Sequence, residues 1–161
     1  MEIEPVSSMP ELLAELSTHH RPNPPATPQQ ISEFEARVGW RLDPDLRAFY
    51  LHCDGAALFD PLDPAVTFLP LAQIERARVA ILQDDSDASG PADWYVIAEV
   101  PDTNWMLLDV SHLESGRYPI RDGYREMFPR PDYCPVIAPS FSNFLARTLR
   151  SEGRWFWLRN Q

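Results

Sequence analysis

Three short runs in this sequence carry side chains capable of chemistry. His52-Cys53-Asp54 sets an imidazole, a thiol and a carboxylate in a row, the groups of a cysteine nucleophile and its base. Adjacent helical residues, however, point about 100° apart and do not face one another. A reactive thiolate also needs an electropositive, partly open setting, and Cys53 falls on an apolar stripe instead. His19-His20 supplies two metal ligands with no third indicated. Asp85-Ser86-Asp87-Ala88-Ser89-Gly90 fills positions one, three, five and six of an EF-hand calcium loop, and Asp93 falls at nine. Position twelve is Val96, where a bidentate Glu is required, and it lies in a predicted strand rather than a helix. The glycine-rich dinucleotide signature, the Gly-x-Ser-x-Gly elbow and the zinc-protease helix do not occur. The reading is of a protein that is not an enzyme, with no catalytic residue, no cofactor and no metal site.

Composition narrows the classes further. The chain has 161 residues, enough for one domain with a real core. With 44% hydrophobic and 11% aromatic residues, it is not globally disordered. All 14 basic residues are Arg, so lysine Schiff-base chemistry and the lysine-bearing phosphate loop are excluded. The formal charge of −10 repels nucleic acid and suits either solubility or a basic protein partner. Cys53 and Cys134 are read as buried free thiols of a cytoplasmic protein, with a disulfide between them left open. The first residues lack the features of a signal peptide. No apolar stretch approaches the ~20 residues of a membrane span, so no membrane is expected.

The elements that would position these groups follow from periodicity and caps. Residues 8–17 predict a first helix with Met9, Leu12, Leu13 and Leu16 inward, and 19–28 a stiff proline-rich connector. Thr27-Pro28-Gln29-Gln30 is a helix start with a capping box; Ile31, Phe34 and Val38 share a face, and Gly39 supplies a left-handed stop. Asp43-Pro44 opens another helix with Leu46, Phe49, Tyr50 and Cys53 on one side, ending at Gly55. Residues 56–64 read as a loop, 66–69 as a strand and 71–82 as a helix whose apolar face Arg78 interrupts. After a polar loop over 84–93, residues 94–100 and 104–110 form a hairpin around Pro101-Asp102-Thr103. Both faces of that hairpin are apolar, so one should be covered and the other used or shielded. Residues 111–132 are irregular, with Gly116 and Gly123 as turns. Residues 133–137 read as a strand that Pro135 confines to an edge. Ser140 caps a last helix with Phe141, Phe144, Leu145 and Leu149 as its stripe, and Trp155-Phe156-Trp157 is expected to pack back on the domain.

Two of these segments carry a family resemblance. Phe34-Glu35, Gly39 and Leu42 match the first helix and its exit in the SUKH superfamily, and Ala138, Ser140-Phe141 and Phe144-Leu145 match its closing helix. Two departures stand out: the family's Leu-Pro is split as Leu42-Asp43-Pro44, and its Asn-Gly is Asp54-Gly55. The resemblance spans about residues 28–149. It implies a single α+β domain, with a mixed or antiparallel sheet and helices packed on one side. An N-terminal helix and connector (1–27) would precede it, and an aromatic tail (150–161) would follow.

The resemblance also implies a bacterial immunity protein that binds and blocks a cognate toxin, often a nuclease, stoichiometrically and without catalysis. The alternatives are a regulatory or scaffold binding module of the same fold with no toxin partner and, after it, an enzyme of unrecognised type. From charge placement, the expected partner-binding residues are Asp54, Asp60, Asp63, Asp84, Asp85, Asp87 and Asp93, with Trp94, Tyr95 and Trp105 as anchors. Between Asp54 and Asp102 ten acidic residues face only Arg76 and Arg78.

Overall fold

The computed structural model describes residues 8–59, 64–101, 104–124 and 126–152. Five helices, α1 (Met9–His19), α2 (Pro28–Val38), α3 (Pro44–His52), α4 (Ala77–Leu82) and α5 (Phe141–Arg150), accompany seven strands among those residues. The strands are β1 (Arg21–Pro22), β2 (Ala56–Leu58), β3 (Val66–Phe68), β4 (Trp94–Val100), β5 (Asn104–Asp109), β6 (Ile120–Gly123) and β7 (Val136–Ala138). Every pairing is antiparallel and the strands lie side by side in chain order, giving an antiparallel α+β domain.

The helix starts form as their sequences dictate. Thr27 Oγ1 accepts the Gln30 N–H and the Gln30 side chain accepts the Thr27 N–H, so two otherwise orphaned donors are satisfied. Gly39 ends α2 at φ 82°. Asp43, which splits the family's Leu-Pro pair, earns its place as the cap of α3. Its Oδ1 accepts the Leu46 N–H at 2.9 Å, and its Oδ2 accepts the Tyr118 N–H at 3.0 Å, tying α3 to the approach to β6.

Five expectations differ. α3 ends at His52, with Cys53 already extended, and Gly55 serves the turn into β2. There φ is 90°, and a Cβ would stand 2.6 Å from the Phe68 carbonyl oxygen. The loop expected at 56–64 contains β2, and the connector expected at 19–28 contains the edge strand β1; both are too short to show alternation. The helix expected over 71–82 breaks into a 3-10 turn at Leu71–Gln73 and the short α4. Between them the chain is drawn onto β4, where the Val96 N–H donates to the Glu75 carbonyl and Arg76 bridges to Tyr95. Gly123 is a strand residue in β6 rather than a turn. Pro22 of β1 and the prolines flanking β7 sit at the two sheet edges, where a missing N–H is tolerated.

One face of the sheet meets α1, α3 and α5. Phe49 lies between Phe68 and Phe141, at ring distances of 5.4 and 4.9 Å, and Phe144 reaches Phe68 at 6.0 Å. The fully buried Tyr50 donates its hydroxyl to the Leu69 carbonyl at 2.7 Å. The opposite face, carrying Trp94, Leu107 and Asp109, is shielded by the segment after β6. Phe128 packs on Trp94, whose ring also lies 5.0 Å from the Arg121 guanidinium. Arg121 Nε pairs with Asp109 at 2.8 Å, and its Nη1 donates to the Cys134 carbonyl. Both cysteines are free and buried. The aromatic tail expected at 155–157 lies outside the described residues.

The corner between α1 and β2 is held by a histidine. His20 Nδ1 accepts the N–H of Phe59 at 3.0 Å, and the two rings meet edge to face. Burial, then the neighbouring His19, lowers the His20 pKa from its ordinary 6.5, against an opposing pull from Glu15. Only the neutral imidazole can accept at Nδ1. Below pH 6.5 the folded state therefore binds fewer protons than the unfolded chain. The stability from this contact is whole above 6.5 and declines as pH falls through the folded value. The melting temperature is expected to drop between about pH 7 and pH 5, and less so in His20→Gln. Equal drops in both proteins would remove His20 from that role.

Candidate partner-binding surface

The acidic stretch after α4 is shaped by two arginines that the sequence places inside a nominally apolar run. Gln83, at φ 54°, stops α4 and turns the chain back over its own helix. Arg78, only 5% exposed, then reaches three acceptors: Asp85 Oδ1 at 2.9 Å, Asp87 Oδ1 at 2.7 Å and the Gly90 carbonyl at 3.0 Å. Arg76 adds a contact to Asp85 Oδ2 at 3.0 Å and another to the Ala92 carbonyl. Asp84 accepts the hydroxyls of Ser86 and Ser89 at 2.5 and 2.6 Å.

These partners fix the charge of the loop as well as its path. The Ser86 and Ser89 hydroxyls hold the Asp84 pKa below its ordinary value, and the Arg78 hydrogen bond does the same for Asp85. The loop is therefore anionic at neutral pH and pre-shaped. Asp87 keeps 97% of its side chain in solvent even while paired. The calcium-like spacing resolves into this arginine-centred arrangement, with Asp85 and Asp87 turned toward Arg78.

The expected partner residues that are described are spread over several elements. Asp84, Asp85, Asp87 and Asp93 are exposed together in this loop. Asp54 lies at the start of β2, where its Oδ1 accepts the Leu71 N–H at 2.8 Å and braces the chain after β3. Trp94 and Tyr95 are each 5% exposed; one ring lies under Phe128 and Arg121, the other against Trp40. Both rings are committed to the core. Trp105 is half-buried and pairs with Glu99, five strand residues from Trp94, or about 16 Å at the usual rise. Asp60 and Asp63 lie outside the described residues.

The possible nucleophile run also comes apart. His52 Nε2 meets Ser17 Oγ at 2.6 Å, and Asp54 is turned to Leu71. The Cys53 thiol is fully buried, and burial, reinforced by Asp54, pushes its pKa up to about 12. Burial likewise raises Cys134 to about 11. Thiols so raised are protonated at neutral pH and are not nucleophiles. Sequence reasoning missed Arg76 and Arg78 as the organisers of the acidic loop. The signal was there, since an arginine on the apolar face of a helix needs a carboxylate to follow it inward.

The described residues thus form an antiparallel meander with α1, α3 and α5 on one face and a braced acidic loop following α4. The model of the SMI1 / KNR4 family (SUKH-1) matches residues 25–147, and the chain belongs to that family. It is also 25% identical over 121 residues to the immunity protein YokJ of Bacillus subtilis (strain 168), covering 74% of this chain and 72% of that one. A role in toxin immunity is thereby supported at the level of the family. No helix among the described residues is long and apolar enough to cross a membrane.

Proposed function

We propose that this chain is an immunity protein of the bacterial cytoplasm that neutralises a cognate toxin domain by stoichiometric binding, without catalysis. The observation that carries the proposal is its similarity, over 74% of its length, to a protein named as an immunity protein. The charge of −10 and the anionic loop over α4 suit a basic partner, such as a toxin whose active cleft binds nucleic acid. Within the acidic set, Asp84, Asp87 and Asp93 are the exposed carboxylates that such a partner could meet. Asp85 serves chiefly to hold Arg76 and Arg78.

A blocker that binds one to one protects in proportion to its amount. Co-expression with its cognate toxin domain is expected to restore growth, with protection rising as the ratio of this protein to toxin approaches one. Protection by a small fraction of an equivalent would indicate turnover and overturn the binding reading.

A further inference from the structure

Two hollows adjoin along the outer side of α2 and meet at Arg37, which lines both. One, of about 340 Å³, lies between α2 and the 3-10 turn at Leu71–Gln73; the other, of about 200 Å³, runs on between α2 and the start of α4. The first hollow is mainly apolar, with Phe34 and Leu71 in its lining, whereas the second, lined by Val38, Val79 and Tyr95 among charged side chains, is the more polar. The walls bear four carboxylates, Glu33, Asp54, Glu75 and Asp85, against two guanidiniums.

Both guanidiniums are already engaged. Arg37 donates to the Leu71 carbonyl at 2.9 Å and lies 5.3 Å from the Phe34 ring centre, while Arg76 is held by Asp85 and the Ala92 carbonyl. Asp54 and Asp85 are held by partners within the fold, and Glu33 takes a hydrogen bond from the neutral Gln29 amide, so the exposed Glu33 and Glu75 carry the charge at the rim of the two hollows. A third hollow, beside Trp40, lacks this imbalance. Its single carboxylate, Glu35, takes the Leu42 N–H and is matched by Arg41.

We propose that this groove between α2 and residues 71–79 is the surface that receives the partner, and that its occupant is a toxin segment presenting an arginine or lysine flanked by an apolar side chain. The apolar part rests in the first hollow beside Phe34 and Leu71, and the cation is drawn to the rim carboxylates, Glu33 in that hollow and Glu75 in the next. The inference rests on the immunity reading and gives it a location distinct from the loop carboxylates alone. Charge draws the partner in from solution, while the floor supplies the desolvated contact that holds it. Rigid elements on both sides, α2 with its closed capping box and the turn braced by Asp54, mean that little ordering is needed on binding.

The test measures binding of the purified toxin domain against which this protein protects to four forms of the protein. These are the wild type, Glu33→Arg/Glu75→Arg, Ala72→Trp, and Glu15→Arg/Asp132→Arg. The last makes the same change in net charge at exposed positions that do not line the groove. Ala72 is exposed on the groove wall, so the indole plugs the hollow without altering charge. Both groove variants are expected to weaken Kd by at least about tenfold with unchanged melting temperature, while the control keeps its dissociation rate. If the wild type binds and the groove variants bind equally well, the groove is not the site and the immunity reading stands. If the groove variants and the control weaken binding alike, general charge attraction explains the effect and the groove falls. If the wild type itself does not bind, the immunity reading and the groove fall together.

Discussion

Phe49→Ala is expected to cost about 3–5 kcal/mol, most of the stability of a domain that has only ~5–15 kcal/mol in total. The ring is fully buried and touches Tyr50, Phe68 and Phe141 at 4.9 to 5.4 Å, so its removal leaves a void that α3, α5 and the sheet would all have to close. Phe141→Ala and Phe144→Ala should behave similarly, both side chains being fully buried on α5. Phe34 differs, since it is 3% exposed, carries Arg37 on its ring and forms part of the groove floor. Its truncation should reduce toxin binding as well as stability. Denaturant unfolding measures each loss. A Phe49→Ala protein that melted like the wild type but no longer bound its partner would mean that a core residue had been mistaken for an interface one.

Arg121→Met should cost a similar amount, about 3–5 kcal/mol, by a different route. The substitution keeps an unbranched stem but strands the Asp109 carboxylate, which is 2% exposed, with only Ser111 as a donor. Burial by itself would raise the Asp109 pKa, but hydrogen bonds from the Ser111 hydroxyl and Arg121 outweigh it and hold the value below the ordinary 3.8. In the native protein the stabilisation from Asp109 is therefore present above 3.8 and lost as pH falls through the folded value. Without Arg121, burial is opposed by Ser111 alone, so the Asp109 pKa should rise and acid should cost the variant less than the native protein at this site. Adding Asp109→Asn removes the stranded charge and should recover part of the loss. Melting curves across acidic pH for the single and double variants decide the matter; a double variant no better than the single would show that Asp109 tolerates isolation.

The helices were legible in the sequence because each start is written in a few adjacent residues. Thr27 with Gln30, Asp43 with Pro44, and Ser140 ahead of Phe141 cap the helices they were expected to cap. The hairpin of β4 and β5 was legible for the same reason, its signal being local and repeated. What escaped was set by distant partners. Ala56-Ala57-Leu58 has too few residues to alternate and becomes a strand because Val66–Phe68 lies alongside it. Residues 74–76 leave the helical path because β4 offers hydrogen-bond partners.

The acidic site was legible as charge but not as shape. Counting carboxylates could not show that Asp85 and Asp87 turn toward Arg78, or that Trp94 and Tyr95 are needed inside. An aromatic next to an acidic loop reads the same in sequence whether it covers a partner or covers Arg121 and Trp40. Glu33 and Glu75 were overlooked as a pair because they come from separate elements that only the tertiary fold brings to one groove.

The meander has a consequence for the order in which the molecule assembles. Each strand pairs with the one made just before it, so the sheet can grow by short-range closures as the chain lengthens, at little entropic cost. The helical layer follows another rule. α5 is the last element described, and it brings Phe141 and Phe144 against Phe49 and Phe68, which were made much earlier. A nascent chain that has emerged through β7 thus holds all seven of these strands, together with α1 and α3, but not α5, the last of the helices on that face. Its apolar face stays open to aggregation or to chaperones until α5 docks.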